Sequence, residues 1–331
     1  MAHRALLRLL LILTLLAAVP GLALAQDEAK LARRHYDRGR KLYRSGQTKQ
    51  AIEELYTAVG IREIYLEAQL LLTRVLIDTE RPREAFATLR AIDLDEWQTV
   101  EVQKLFGLAF YQLNKLPEAE HALQYAISLS PRRNHELHYL LGLVKLRQEN
   151  AEDAVREAKN ALAINPRFAQ AHKLLSDAYL LQREPRPAEQ ELLAYLRSKP
   201  SRAETNELQK RLTMIRSLAQ ARPEQASFTG PQVKMVPEPN YTEAARRNRI
   251  EGLIRMEVLF GNDGHIQQAL IVQGLGFGLD EEATRAAREI AFTPARVDEK
   301  PVSVWGVVNF RFKMSGDAGT RNSESRIISS R

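Results

Sequence analysis

The chain has 331 residues, a length that suits about two domains. Charged residues make up 27% and apolar residues 44%, the balance of a chain with real cores. The net charge of +7 is spread along the whole length and favours solubility and weak attraction to acidic partners, with no concentrated nucleic-acid footprint, and the lack of any cysteine excludes disulfide frameworks, thiolate zinc sites and cysteine nucleophiles.

At the N-terminus, Arg4 and Arg8 precede the apolar run Leu9 to Val19. Pro20 and Gly21 break that run, and Ala23 and Ala25 set a small-x-small pattern before Gln26. This is the pattern of a secretory signal peptide over residues 1–25, cleaved near Ala25. The run is too short to span a bilayer; the alternative is a retained anchor stretched from Leu9 to Ala25. The expected location is the periplasm of a Gram-negative-type envelope, with inner-membrane anchoring as the alternative.

Next comes a period. Ala51, Ala85, Ala119, Ala154 and Ala188 are spaced 34, 34, 35 and 34 residues apart. Gly39, Gly107 and Gly142 stand twelve positions before three of them, and Pro131, Pro166 and Pro200 close three units in phase. Each unit reads as a helix pair. In the third, Leu105, Leu108 and Tyr111 recur at helical spacing, and Pro117 opens a second helix with Ala119, Leu123 and Ala126. Small residues belong where two helices cross closely, and stacked pairs bury what one pair cannot. The pattern resembles the tetratricopeptide repeat family over residues 32–200, in about five units, two of them degenerate. Residues 201–222 read as a capping helix with Leu208, Leu212, Ile215 and Leu218 on one face. The resemblance implies a concave surface lined by the first helix of each pair. In this chain that surface holds Arg33, Tyr36, Arg40, Arg44, Lys104, Tyr111, Tyr139, Arg147 and Lys173. Basic groups interleaved with tyrosine suit an extended acidic peptide or a C-terminal carboxylate.

Residues 223–236, with Pro223, Gly230 and Pro231, read as a linker. Beyond it the period changes. Tyr241 to Ile250 is a short helix, Glu251 to Phe260 a strand, Gly-Asn-Asp-Gly a hairpin turn and His265 to Gly274 the returning strand. Leu279 to Ile290 is a second helix, and Pro301 to Phe312 a third strand with Val302, Val304, Val308, Phe310 and Phe312 facing one way. Residues 315–331 are expected as a disordered tail.

Residues 237–314 resemble the TonB C-terminal domain nearly end to end. The carrying residues are Pro239 and Tyr241, Gly252, Asp263-Gly264, Leu279-Asp280, Phe292-Thr293-Pro294-Ala295, and Pro301-Val302 with Trp305. The overall expectation is a mainly α chain: an α-solenoid of tetratricopeptide-like helix pairs followed by a small α+β TonB C-terminal-like domain. The resemblance implies that the third strand lies at an edge and accepts an extended peptide by strand addition. Val304, Trp305, Val307, Asn309 and Arg311 are the candidates for that edge.

Sites of other chemistry are weaker. Gly274, Gly276 and Gly278 miss the dinucleotide spacing by one position and follow a hairpin strand. His135 and His138 lack a third ligand nearby in sequence, and Glu281 and Glu282 lie on an open helix face. No catalytic residue, metal or cofactor is expected, and no enzyme. The reading is a periplasmic adaptor for protein or peptide partners, among them outer-membrane receptor segments, without nucleic acid or small-molecule substrate. The alternative is a TonB-type energy transducer of outer-membrane transport with an uncleaved N-terminal anchor.

Overall fold

A computed structural model describes residues 26–130, 134–220, 228–314 and 322–328. The segment read as a signal peptide, Pro131 and the first part of the linker lie outside them. The chain divides between Leu105 and Phe106 into two compact units.

The first unit is helical: α1 (26–44), α2 (Thr48–Ile61), α3 (Leu66–Asp78) and α4 (Pro82–Arg90), then a 3-10 turn at Leu94–Gln98. A Cβ on Gly39 would lie 2.8 Å from Leu55 Cγ, so glycine is what lets α1 meet α2. Ala51 and Ala85 are fully buried at such crossings.

The division falls within α5 (Val100–Gln112), and the second unit goes on with α6 (Leu116–Leu129), α7 (His135–Arg147), α8 (Ala151–Ile164), α9 (Ala169–Leu181), α10 (Pro185–Leu196) and α11 (Arg202–Gln220). A Cβ on Gly107 would meet Leu123 at 2.6 Å, and one on Gly142 would meet Leu174, of the next pair, at 2.7 Å. Ala119, Ala154 and Ala188 are fully buried. Pro117 and Pro185 sit in first turns, where a missing N–H costs nothing.

Two further series follow the same period. Gly46, Glu80, Asn114, Glu149 and Arg183 all have positive φ and reverse the chain between the two helices of a pair. His35–Glu54, His138–Glu157 and His172–Glu191 repeat one contact across a pair, at 2.6, 2.8 and 2.6 Å, each spanning 19 residues. The αL residues other than Gly46 have a Cβ and carry some strain.

The terminal part of the second unit is α+β. Its strands are β1 (Phe228–Thr229), β2 (Gln232–Met235), β3 (Gly252–Phe260), β4 (Ile266–Gln273), β5 (Ala291–Thr293), β6 (Ala295–Val297), β7 (Lys300–Val302), β8 (Val304–Lys313) and β9 (Asn322–Ile328). Its helices are α12 (Glu243–Asn248) and α13 (Leu279–Arg288). The main sheet is antiparallel with order β4-β3-β8-β9. Its core-side residues, Ile254, Met256, Val258, Phe260, Val308, Phe310 and Phe312, pack with Leu279, Ala283 and Ile290. Thr242 Oγ1 accepts the Ala245 N–H and caps α12, and Arg249 ends it in the left-handed region.

Three expectations are corrected. The segment 223–236, read as linker, holds β1 and β2, which pair with β6 and β5; Phe228, Val233 and Val236 pack on the terminal core. The third strand, read as one piece from Pro301 to Phe312, breaks at Ser303 into β7, which pairs with β6, and β8. The tail, read as disordered, supplies β9, because the outer side of β8 offers backbone groups that pair with any suitable strand.

Candidate partner-binding surfaces

On the first unit, α1 carries seven Lys and Arg against three Asp and Glu. Two turns of it gather Arg33, Tyr36 and Arg40 on one side, by helical spacing. The Arg33 and Arg40 guanidiniums lie 5.8 and 5.4 Å from the Tyr36 ring centroid, and Asp37 bonds both, at 3.2 and 2.9 Å. Tyr36 meets Tyr65 at 5.4 Å, and Arg62 lies 5.6 Å from the Tyr65 ring. Arg44 is exposed near the end of α1. Lys104 is buried, with its ammonium 2.8 Å from Glu101, so it belongs to the packing of α5 rather than to an open surface.

On the second unit, Arg147 lies flat on Tyr111, 3.9 Å from the ring centroid, and donates to the Tyr111 carbonyl at 3.1 Å. Tyr139 meets the edge of Phe168 at 5.2 Å, and burial pushes its hydroxyl up to about 12. Lys173 is exposed.

The side of this stack that carries Arg147 is already in use. Leu270 and Val272 of β4, 3% and 4% exposed, join the repeat core with Tyr195, Leu208, Leu212 and Ile215. Arg211 of α11 donates to the Ile271 carbonyl at 3.0 Å and pairs with Asp177 at 2.6 Å. Burial raises the Asp177 carboxyl, against the pull of Arg211 and Lys173. Gln273 donates to the Arg147 carbonyl at 3.0 Å, and Asn114 to the Glu251 carbonyl. The sheet face away from α12 and α13 therefore lies against the repeats, and the β4 edge is held by Arg211. Sequence reasoning missed this contact. The signal was there: Ala269, Leu270, Ile271 and Val272 form an unbroken apolar run, the mark of a strand covered on both faces.

β8 shows the same mark in Val304, Trp305, Val307 and Val308. Val304 faces the core of the terminal domain. Trp305 and Val307 point to the other face, and are 7% and 0% exposed; Asn309 is half-buried and Arg311 exposed. The edge expected at this strand is not open. β8 lies between β3 and β9, with Val307 opposite Ile328, Asn309 opposite Arg326 and Arg311 opposite Glu324. On the same face, Glu257 of β3 is 5% exposed. Burial raises its carboxyl to about 7, with Arg183 and Arg255 opposing.

Other chemistry finds little support. Among the described residues no group of three or more His, Asp or Glu is placed to hold a metal. His138 bonds Glu157, and His135 packs edge-on against Phe168 at 4.7 Å. In the glycine-rich turn, Asp280 Oδ1 accepts the N–H groups of Leu275 and Gly276 at 2.8 and 3.3 Å, so a carboxylate of the chain takes the donors a phosphate would need. A shallow cleft beside α13 is lined by Ile271, Asp280, Glu281, Thr284, Arg285, Arg288 and Glu289, a mixture of both charges.

Comparison with known proteins agrees with this architecture. Residues 237–314 match the family described as Gram-negative bacterial TonB protein C-terminal, and residues 104–158 and 139–203 match the tetratricopeptide repeat. The chain thus joins tetratricopeptide repeats to a C-terminal TonB-family domain. Similar folds include PilW, titled a widely conserved type IV pilus biogenesis factor, with 18% identity, 57% of this chain and 88% of that one covered, and a TM-score of 0.51. Pseudomonas aeruginosa pilF gives 22% identity, 58% and 87% coverage and 0.47, and MamA 22%, 53% and 95%, and 0.43. These likenesses concern the repeat fold alone. No curated protein matches the chain. Among the described residues, no helix is long and apolar enough to cross a membrane.

Proposed function

We propose that this chain is an adaptor of the Gram-negative envelope, exported to the periplasm, with two protein-binding ends. The first helices hold an acidic segment of one partner on the surface of Arg33, Tyr36 and Arg40. The terminal sheet docks an extended segment of another, such as an outer-membrane receptor, along β8. Tetratricopeptide repeats and TonB-type terminal domains are interaction folds. One observation carries the strand-docking half: the outer side of β8 accepts a seven-residue antiparallel strand, β9. Backbone pairing of that kind gives affinity, and the alternate side chains Asn309 and Arg311 give selectivity.

The test is photo-crosslinking in cells, with a reactive side chain placed at Arg44 or at Arg311. Two adducts with different envelope proteins are expected. Arg33→Glu with Arg40→Glu should remove the first and spare the second. One shared adduct, or loss of both in the charge-reversed chain, sinks the two-ended adaptor. Sequencing the mature N-terminus tests location: Gln26 fits export, whereas Met1 retained in a salt-resistant membrane pellet favours the anchored transducer.

A further inference from the structure

We infer that α9, α10 and α11 form a seat for an extended peptide, that the chain's own β4 fills this seat, and that an outside segment of the same pattern takes it when the terminal domain lifts away. The seat is separate from the two ends proposed above. Three observations carry it.

First, the repeats hold β4 as they would hold a separate strand. Leu270 and Val272, two residues apart and so on one side of the strand, sink among Tyr195, Leu208, Leu212 and Ile215. Between them, the Ile271 carbonyl accepts the Arg211 guanidinium at 3.0 Å, and Asp177 of α9 sets that guanidinium from 2.6 Å. Just past them, the Gln273 side chain donates to the Arg147 carbonyl at 3.0 Å. Alternate side chains in a pocket with a backbone group bonded between them is how extended peptides are recognised. The pattern defines the partner: an extended segment reading aliphatic, any residue, aliphatic, then an amide side chain.

Second, the contact is imperfectly paired around that centre. Asn114 and Gln273 each give their amide N–H to a carbonyl across it, yet Asn114 Oδ1 and Gln273 Oε1 are buried and accept no hydrogen bond from the described residues. Glu257, on the sheet face turned to the repeats, is 5% exposed, and Arg183 of the turn between α9 and α10 is among the charges that offset its burial. Polar groups buried without partners weaken a contact, and water pairs them once it opens. A polar contact of this kind is the mark of domains that part, not of a shared permanent core.

Third, the two seated side chains are not part of the terminal domain's own core. Ile254, Met256, Val258 and Phe260 pack with α13 on the opposite face of the sheet, whereas Leu270 and Val272 belong to the repeat cluster. Residues 221–227 join α11 to β1. A joint that short keeps β4 over its seat at an effective concentration on the order of millimolar.

The experiment uses the full chain with a protease site placed within residues 222–226, either left intact or cut after folding. The probe is a labelled synthetic peptide of residues 266–274, and its control carries Leu270→Asp with Val272→Asp. After cutting, the two parts should separate on dilution to micromolar concentration, each keeping its folded amide spectrum. The separated repeats should bind the probe, with amide shifts on Asp177, Leu208, Arg211 and Leu212, and reject the control. The intact chain should bind the probe about tenfold more weakly, the ratio of a millimolar tether to a peptide of about 100 μM affinity. Parts that stay together until they unfold, or a repeat stack that unfolds once separated, make the contact a permanent core and overturn the inference. Equal binding by the intact chain and the separated repeats overturns it too, as do equal binding of probe and control or shifts that spare α9 and α11.

Discussion

Two regions of the second unit bury apolar surface by opposite means. In the repeats, Gly107 makes room for Leu123 on the adjoining helix, and the same arrangement recurs every 34 or 35 residues. In the sheet, Leu270 finds its cover on α11, with Arg211 reaching the Ile271 carbonyl across 60 residues of chain. The first kind of contact is local and repeated; the second is singular and tertiary. The difference teaches where the two regions can fail separately and where they fail together.

The largest effect is expected at their junction. Leu270→Ala removes a side chain shared by β4 and the repeat core and should cost about 2–5 kcal/mol. Thermal unfolding should fall, and amide protection should drop together in α11 and β4. If α11 keeps full protection, the two regions have independent cores after all.

Glu257 sharpens the comparison through pH. Its folded-state value is raised to about 7 by burial, so the folded chain holds a proton that the unfolded chain releases near the ordinary glutamate range. Stability therefore falls as pH rises through that interval and is level above it. The full loss is about 3 kcal/mol for a shift of this size. Glu257→Gln should flatten this slope, raising the melting temperature at pH 8 while changing it little at pH 4.5. An unchanged pH profile would mean that another group sets the slope.

Ala119→Leu tests the local kind of contact. It overpacks one helix crossing and should cost about 1–3 kcal/mol, with the protection of β3 and β8 retained. Equal melting of variant and parent would place Ala119 outside the crossing.

How much of this was legible follows from the same distinction. The alanine and glycine period was readable because each unit repeats its own evidence, and the structure buries every one of the five alanines. The αL turn series was readable in principle, five positions before each alanine, but four of its five members are not glycine and gave no signal. Of the surface residues singled out, Arg33, Tyr36 and Arg40 come together, while Lys104 turns inward to Glu101 and Arg147 lies beside the terminal sheet. Helical spacing predicts a face, but what covers that face depends on segments far away in sequence. The strands β1, β2 and β9 were hidden for a related reason. Their composition is that of linkers and tails, and they are strands by virtue of the edges they meet.

The orientation of β9 also sets the order in which it comes undone. Its C-terminal residue, Ile328, pairs with Val307, while its first residue, Asn322, pairs with the terminal residue of β8, Lys313. Tension on the C-terminus therefore peels the pairs singly, as a zipper opens, and does not load all seven in shear. The covered edge is mechanically soft in one direction, the one in which a pull on the chain terminus acts.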